Sequence, residues 1–264
     1  MSTSTLDLGD VQLFVDDRGS GEPALVLVHG YTGSSLDWAD SHDVLAADRR
    51  VVAFDHRGHG QSSHAAEYSI DLLTADFLGL LDALGLDQID LLGHSMGGVV
   101  ALQAVLGHPE RVRSLILMDT SAEPFGDLGE SLAAVVEIGR AQGMPAVLAL
   151  GRELIASTLQ GDDARVQELF GRIEAKYATL DVEAFDALGT ELSRYPSVVG
   201  RLGEIACPTT VFVGENDFLR AVADVLADGV PGAELVVFEG CGHSPQEDDP
   251  AAWQAAVLAH LSRV

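Results

Sequence analysis

Six short, mostly apolar runs punctuate the chain, at residues 24–28, 50–54, 89–92, 114–118, 209–213 and 234–238. Runs of this kind suit strands buried on both faces of a parallel sheet. Ahead of them, residues 5–8 and 11–15 alternate around Gly9-Asp10, the pattern of an antiparallel hairpin. Helical periodicity fills the intervals. Ser69 is placed to cap a helix whose apolar face carries Ile70, Leu73, Phe77, Leu80, Leu81 and Leu84. Asp249-Pro250 opens the last helix with a capping carboxylate and a proline in the first turn. Eight strands alternating with helices predict an α/β fold with a mostly parallel, helix-covered sheet.

One interval breaks this rhythm. Residues 121–201 contain no strand-like run, only helical periodicity at 132–138, 147–155, 166–177 and 185–192. So long a stretch is too much for a plain connection in a compact sheet. It reads as a helical cap inserted after the sixth strand, with residues 1–120 and 202–264 forming the core.

The length of 264 residues fits one such domain with one insertion. Acidic residues outnumber basic ones by 41 to 15, for a formal charge of −26. That charge repels phosphate backbones and anionic membranes, so the expected partner is a small molecule, not nucleic acid or a lipid surface. The cysteines, Cys207 and Cys241, have no metal-like spacing and read as reduced, buried small hydrophobes. No metal or cofactor is called for. The first ten residues lack the basic and apolar regions of a signal peptide, and no stretch approaches a membrane span, so a cytoplasmic home is expected. No motif speaks to the oligomeric state.

Chemistry enters at Gly93-His94-Ser95-Met96-Gly97, between a strand-like and a helix-like run. A serine on a sharp strand-to-helix turn presents its hydroxyl above the sheet, and glycines two before and two after avoid collision. The hydroxyl needs a general base, and the base needs an orienting acid. His243 lies just beyond the last strand, flanked by Gly242 and a Ser-Pro turn. Asp217 follows another strand end, with Glu215 and Asp119 as competitors. The charge building on a tetrahedral oxygen needs placed donors: the backbone N–H of Met96, and that of Tyr31 in the His29-Gly30-Tyr31 loop. His29 reads as a structural residue bonding that loop. His260 reads as a surface residue of the last helix, and His42, His64 and His108 as loop or helix-end residues without partners.

Taken together, these blocks resemble the α/β-hydrolase superfamily, of the compact bacterial serine esterase, perhydrolase and C–C hydrolase kind. The matching blocks are residues 29–31, the segment Asp55-His56-Arg57-Gly58-His59-Gly60-Gln61-Ser62, the elbow at 93–98, and the loops bearing Asp217 and His243. The resemblance implies Ser95, Asp217 and His243 as the triad and Tyr31 and Met96 as oxyanion amides. It implies an architectural role for residues 55–62. Relatives with an aspartate nucleophile, dehalogenases and epoxide hydrolases, are excluded by Ser95. Candidates to line the pocket are Trp38, Phe125, Phe218 and Leu219, with Tyr31, Met96 and Pro245. Cap residues such as Leu148, Phe170, Tyr177 and Phe185 read as helix packing. With no basic cluster near the triad loops apart from Arg220, a neutral ester, lactone or thioester is the expected substrate. Perhydrolysis, C–C cleavage or lyase chemistry at the same triad is the alternative, and a ligand-binding receptor on this scaffold a more distant one.

Overall fold

The structure, a computed structural model, describes residues 2–126, 129–159 and 161–264. Its strands are β1 (Ser2–Asp7), β2 (Gln12–Arg18), β3 (Leu25–Val28), β4 (Val51–Phe54), β5 (Ile89–His94), β6 (Val112–Met118), β7 (Thr209–Gly214) and β8 (Glu234–Phe238). They form one sheet in the order β1-β2-β4-β3-β5-β6-β7-β8. The pairings β1–β2 and β2–β4 are antiparallel and every later one is parallel. The expected sheet and its leading hairpin are therefore present.

Why the central strands read as unbroken apolar runs is plain from their two faces. Val26, Val28, Leu91, Leu115 and Val211 pack on one side, while Leu25, Leu27, Leu92, Ile116 and Phe212 pack on the other. Each such side chain taken fully out of water contributes about 1.5–3 kcal/mol. Strand β5 runs two residues past the apolar run, because Gly93 and His94 still pair with Leu117 and Met118. That extension carries the chain to the sheet's upper rim immediately before Ser95.

The helices are α1 (His42–Leu45), α2 (Ile70–Ala83), α3 (Met96–Gly107), α4 (Gly129–Gln142) and α5 (Met144–Thr158). They continue with α6 (Asp163–Thr179), α7 (Val182–Leu192), α8 (Arg220–Gly229), α9 (Pro245–Asp248) and α10 (Pro250–Leu261). Ser69 caps α2 through Oγ to the N–H of Leu72 at 3.1 Å, and Asp249 caps α10 through the N–H of Ala252 at 3.0 Å. Helix α3 is buried nearly all round, which is why it is apolar on every face. Between β6 and β7 the described residues hold α4 to α7 and no strand. Val136, Met144, Val147, Leu180 and Phe185 form a separate apolar cluster there, with Tyr31 packed against it. No described helix is long and apolar enough to cross a membrane.

Residues 55–62 tie the loop above β4. Asp55 accepts the N–H groups of Ser35 at 2.6 Å and Gln61 at 2.7 Å, while Arg57 makes a buried two-pronged bond to Asp76 at 2.6 Å. Two histidine expectations are corrected. His260 is buried, its Nδ1 2.8 Å from Thr210 Oγ1, because that turn of α10 packs against β7. His42 is buried too, with Nε2 3.1 Å from the Val51 carbonyl and Nδ1 3.4 Å from Asp16. His64 and His108 are exposed but face Asp181 and Glu110. All these partners are distant in sequence or set by the fold, so single-residue reading misses them.

Candidate active site

The turn between β5 and α3 is strained. Ser95 has φ 53° and ψ −117°, a region that side chains rarely occupy. Surrounding bonds hold it there: the Ser95 N–H donates to the Met118 carbonyl at 2.9 Å, and Thr120 Oγ1 donates to the Ser95 carbonyl at 2.7 Å. Gly97 is required by space, since a Cβ there would sit 2.3 Å from the Val28 carbonyl oxygen. Helix α3 starts at Met96, so its first N–H groups point toward the serine without intrahelical acceptors.

Ser95 Oγ lies 3.0 Å from His243 Nε2, and His243 Nδ1 lies 3.0 Å from Asp217 Oδ1. These groups come from three loops at the same edge of the sheet. The Asp217 and His243 loops touch at Gly214, where a Cβ would fall 1.9 Å from the Gly242 carbonyl oxygen. His94 steadies the histidine loop by donating from Nε2 to the His243 carbonyl at 2.7 Å. The Phe218 ring covers the imidazole at 4.9 Å between centroids.

Asp119, weighed in the sequence as a rival acid, stands beside Asp217. It has φ 46° and takes the Gly214 N–H on Oδ1 at 2.9 Å. Its Oδ2 and that of Asp217 are both buried with no partner of their own, and the two carboxyls approach within 4.8 Å. Burial and then this neighbour push Asp119 well above the carboxylate range. For Asp217, burial is outweighed by His243 and Asp119, and its carboxyl is held below the usual value. One proton between two buried carboxyls, resident on Asp119, satisfies both directions. Asp119, Asp217 and His243 also form the one group of potential metal ligands found among the described residues, within 4.8 Å of one another. His243 is already engaged with Asp217 and Ser95, and Asp119 Oδ1 with the Gly214 N–H.

His29 holds the loop after β3. Its Nδ1 is 2.8 Å from the Gly30 carbonyl and its Nε2 takes the His56 N–H at 2.9 Å. Only the neutral ring protonated on Nδ1 satisfies both partners. Gly30 is thereby held against the serine, where a Cβ would lie 3.0 Å from Ser95 Cβ. The Tyr31 side chain points away, donating from its hydroxyl to the Phe185 carbonyl at 2.5 Å and stacking on that ring at 5.2 Å.

A cavity of about 540 Å³ opens over Ser95, bounded by the strand-end loops and by Ile155, Ile173, Lys176 and Tyr177 of α5 and α6. Among the predicted lining residues, Tyr31 and Phe218 reach it. Trp38 is corrected to core: it is fully buried, stacked on Trp253 at 5.9 Å and edge-on to His94. Phe125 lies outside the cavity against Tyr195, Leu219 is buried where α8 begins, and the Met96 side chain enters the core below the elbow. Arg220 is occupied with Asp224, whereas Lys176, far from the triad in sequence, lines the cavity. Asp37 and Glu247 line it as well and were not singled out in the sequence. The position of Glu247 four residues after His243 is the one local signal that pointed to it.

A family profile described as the alpha/beta hydrolase fold matches residues 23–250. A 2-hydroxy-6-oxononadienedioate/2-hydroxy-6-oxononatrienedioate hydrolase of Dechloromonas aromatica is 32% identical, the match covering 96% of this chain and 91% of that one. A thermophilic esterase from Thermogutta terrifontis superimposes with a TM-score of 0.85 at 26% identity, covering 100% of this chain and 99% of the other. An enol-lactonase from Burkholderia xenovorans, 23% identical with a TM-score of 0.85 over 98% of this chain and 100% of that one, shares the fold. Profile, sequence and architecture agree, and the chain belongs to the α/β-hydrolase family.

Proposed function

We propose that the protein is a serine hydrolase that cleaves a small to medium carboxylic ester, lactone or thioester through an acyl-enzyme. The observation that carries this reading is His243, bonded at 3.0 Å to both Ser95 and Asp217 on the floor of the cavity. His243 takes the Ser95 proton as Oγ attacks the carbonyl carbon. The tetrahedral oxyanion is met by the N–H groups of Met96 and Tyr31, each such donor typically worth about 10²–10³ in turnover. The imidazolium then protonates the leaving alkoxide or thiolate, and the acyl group stays on Oγ. Water, deprotonated by His243, attacks the ester, and Ser95 recovers its proton as the acid leaves. Asp217 holds the ring in the tautomer that faces Ser95 and stabilises its charged form. Helices α4 to α7 act as the cap, closing the cavity over the acyl group. The substrate arrives as a free small molecule, with no metal or cofactor in the cycle.

A fluorophosphonate is expected to add one phosphonyl group, located on Ser95 by peptide mass spectrometry, with turnover of p-nitrophenyl acetate and butyrate in untreated protein. Intact mass unchanged after incubation would remove the acyl-enzyme from consideration. The name of the Dechloromonas aromatica relative favours a second reading, C–C bond hydrolysis on the same serine. Labelling at Ser95 with negligible ester turnover would select it.

Asp119 keeps the acid pair at a single negative charge, which Asp217 carries against His243 Nδ1. Asp119→Asn retains a donor toward Asp217 and an acceptor for the Gly214 N–H, and is expected to keep kcat within about threefold. Asp119→Ala removes the donor and leaves Asp217 short of one charge-assisted bond, with kcat expected to fall about 10- to 100-fold. Equal losses in the two variants would show that the donor is not what matters.

A further inference from the structure

The cavity over Ser95 has a polar end that acyl transfer does not use. Lys176, the single lysine of the chain, projects from α6 with its side chain 10% exposed and Nζ 2.6 Å from Asp37 Oδ1. Asp37 sits beneath the loop that approaches Ser95, since a Cβ on Gly33 would fall 2.3 Å from its Oδ2. Opposite is Glu247 on α9, only 8% exposed. Its Oε1 is buried without a hydrogen-bond partner, and the carboxyl is not in ion-pair contact with Lys176, which bonds to Asp37 instead. Asp37, Lys176 and Glu247 all line the same cavity as Ser95 and His243.

An unpartnered buried carboxyl is costly, so its retention in a cavity wall needs a reason. Burial, against the opposing pull of Lys176, pushes Glu247 up to about 7. Lys176 uses one of its three N–H groups on Asp37 and keeps others for the cavity. The pair is also fixed in place. Arg165 and Arg172, on the same helix as Lys176, each make a two-pronged bond to Asp40, at 2.5–3.2 Å, and Arg165 also donates to the Glu247 carbonyl at 2.9 Å. A donor and an acceptor held rigidly across a gap form a prepared recognition site.

We propose that Lys176 and Glu247 form a polar subsite for an uncharged substrate group that both donates and accepts hydrogen bonds, a hydroxyl or a primary carboxamide. Such a group donates to the free oxygen of Glu247 and accepts from Lys176 Nζ. A substrate carboxylate there meets Glu247 and Asp37, and an ammonium meets Lys176, so both charged groups are disfavoured. The substrate class is thereby narrowed from simple alkyl esters to hydroxy- or carbamoyl-substituted ones. This rests on the acyl-transfer reading.

The test compares kcat/KM for ethyl butyrate, ethyl 3-hydroxybutyrate, butyl butyrate and 4-hydroxybutyl butyrate, which place the hydroxyl on the acyl or the alcohol side. One hydroxylated ester is expected to exceed its parent by at least about tenfold, a hydrogen bond to a charged partner. Glu247→Leu and Lys176→Met bring that ratio to about one. Should either fail to fold, Glu247→Gln keeps the shape and is expected to lower the ratio severalfold. Ratios below two throughout the series in wild type, or a ratio unmoved by the Glu247 variants, would overturn the subsite. Fluorophosphonate labelling of the same preparations separates the two failures. Label with no hydroxyl preference defeats the subsite alone, and no label defeats the acyl-transfer reading beneath it.

Discussion

Ser95→Ala is expected to lower kcat for p-nitrophenyl butyrate by about 10⁵–10⁶, to a residue of activity supplied by binding and the oxyanion amides. His243→Ala should cost about as much, and the double variant no more than either single one. The reason is geometric. His243 Nε2 takes the Ser95 proton across 3.0 Å, so without either of these two side chains the other is idle. Groups that act as one unit give strongly non-additive losses. Asp217→Ala should cost less, about 10⁴, because the base survives with only its orientation and charge stabilisation lost. Far-ultraviolet circular dichroism on each variant checks the fold. Additive losses in the Ser95/His243 pair would mean the two side chains work in separate steps.

Stability is expected to fall steeply between pH 7 and pH 4.5, with Tm dropping by about 10 °C or more from pH 7.5 to pH 5. The cause is a set of histidines buried neutral. Burial lowers His29 to about 4, His59 to about 3 and His94 to about 4, and His56 well below its ordinary value. Three of these rings form one cluster, with His29 at 4.5 Å from His56 and 5.2 Å from His59 between centroids. Below an unfolded value near 6.5 the unfolded chain binds protons that the folded chain refuses, so stability is lost as pH falls toward the folded values. His29 alone, lowered from 6.5 to about 4, corresponds to about 2 kcal/mol at pH 5. Glu247, raised to about 7, works in the opposite direction, because its folded state binds the proton first. His42 and His260 are likewise lowered by burial, and the six histidines together outweigh Glu247 and the raised Asp119. His29→Gln should flatten the profile, and a Tm independent of pH from 7.5 to 5 would contradict the assignment of neutral rings. Protonating His29 also breaks its bond from the His56 N–H, so the loop beside Ser95 should loosen as the protein destabilises.

The fold was largely legible because its signals are local. Apolar runs, the Gly9-Asp10 turn and the Ser69 and Asp249 caps each depend on neighbours a few residues away. Gly93 to Gly97 and the residues after the later strand ends carried their geometry in sequence because turns of this kind restrict residue type. The cavity wall was less legible. Trp38 and Phe218 are both aromatic and near strand ends, yet one stacks in the core and the other lies open, a difference decided by Trp253 more than 200 residues away. Lys176 and Asp37 meet across 139 positions, and no periodicity encodes such a pairing. Asp119 looked like a rival to Asp217 because sequence cannot show two carboxyls sharing one proton.

The chain's single lysine stands on α6 with its side chain only 10% exposed, bonded to Asp37. Amine-directed reagents therefore find no freely exposed lysine ammonium, and should modify Lys176 slowly while the protein is folded and readily once it opens. With one lysine in the chain, the rate of lysine labelling would report the opening of the Lys176–Asp37 contact with no other lysine adding background.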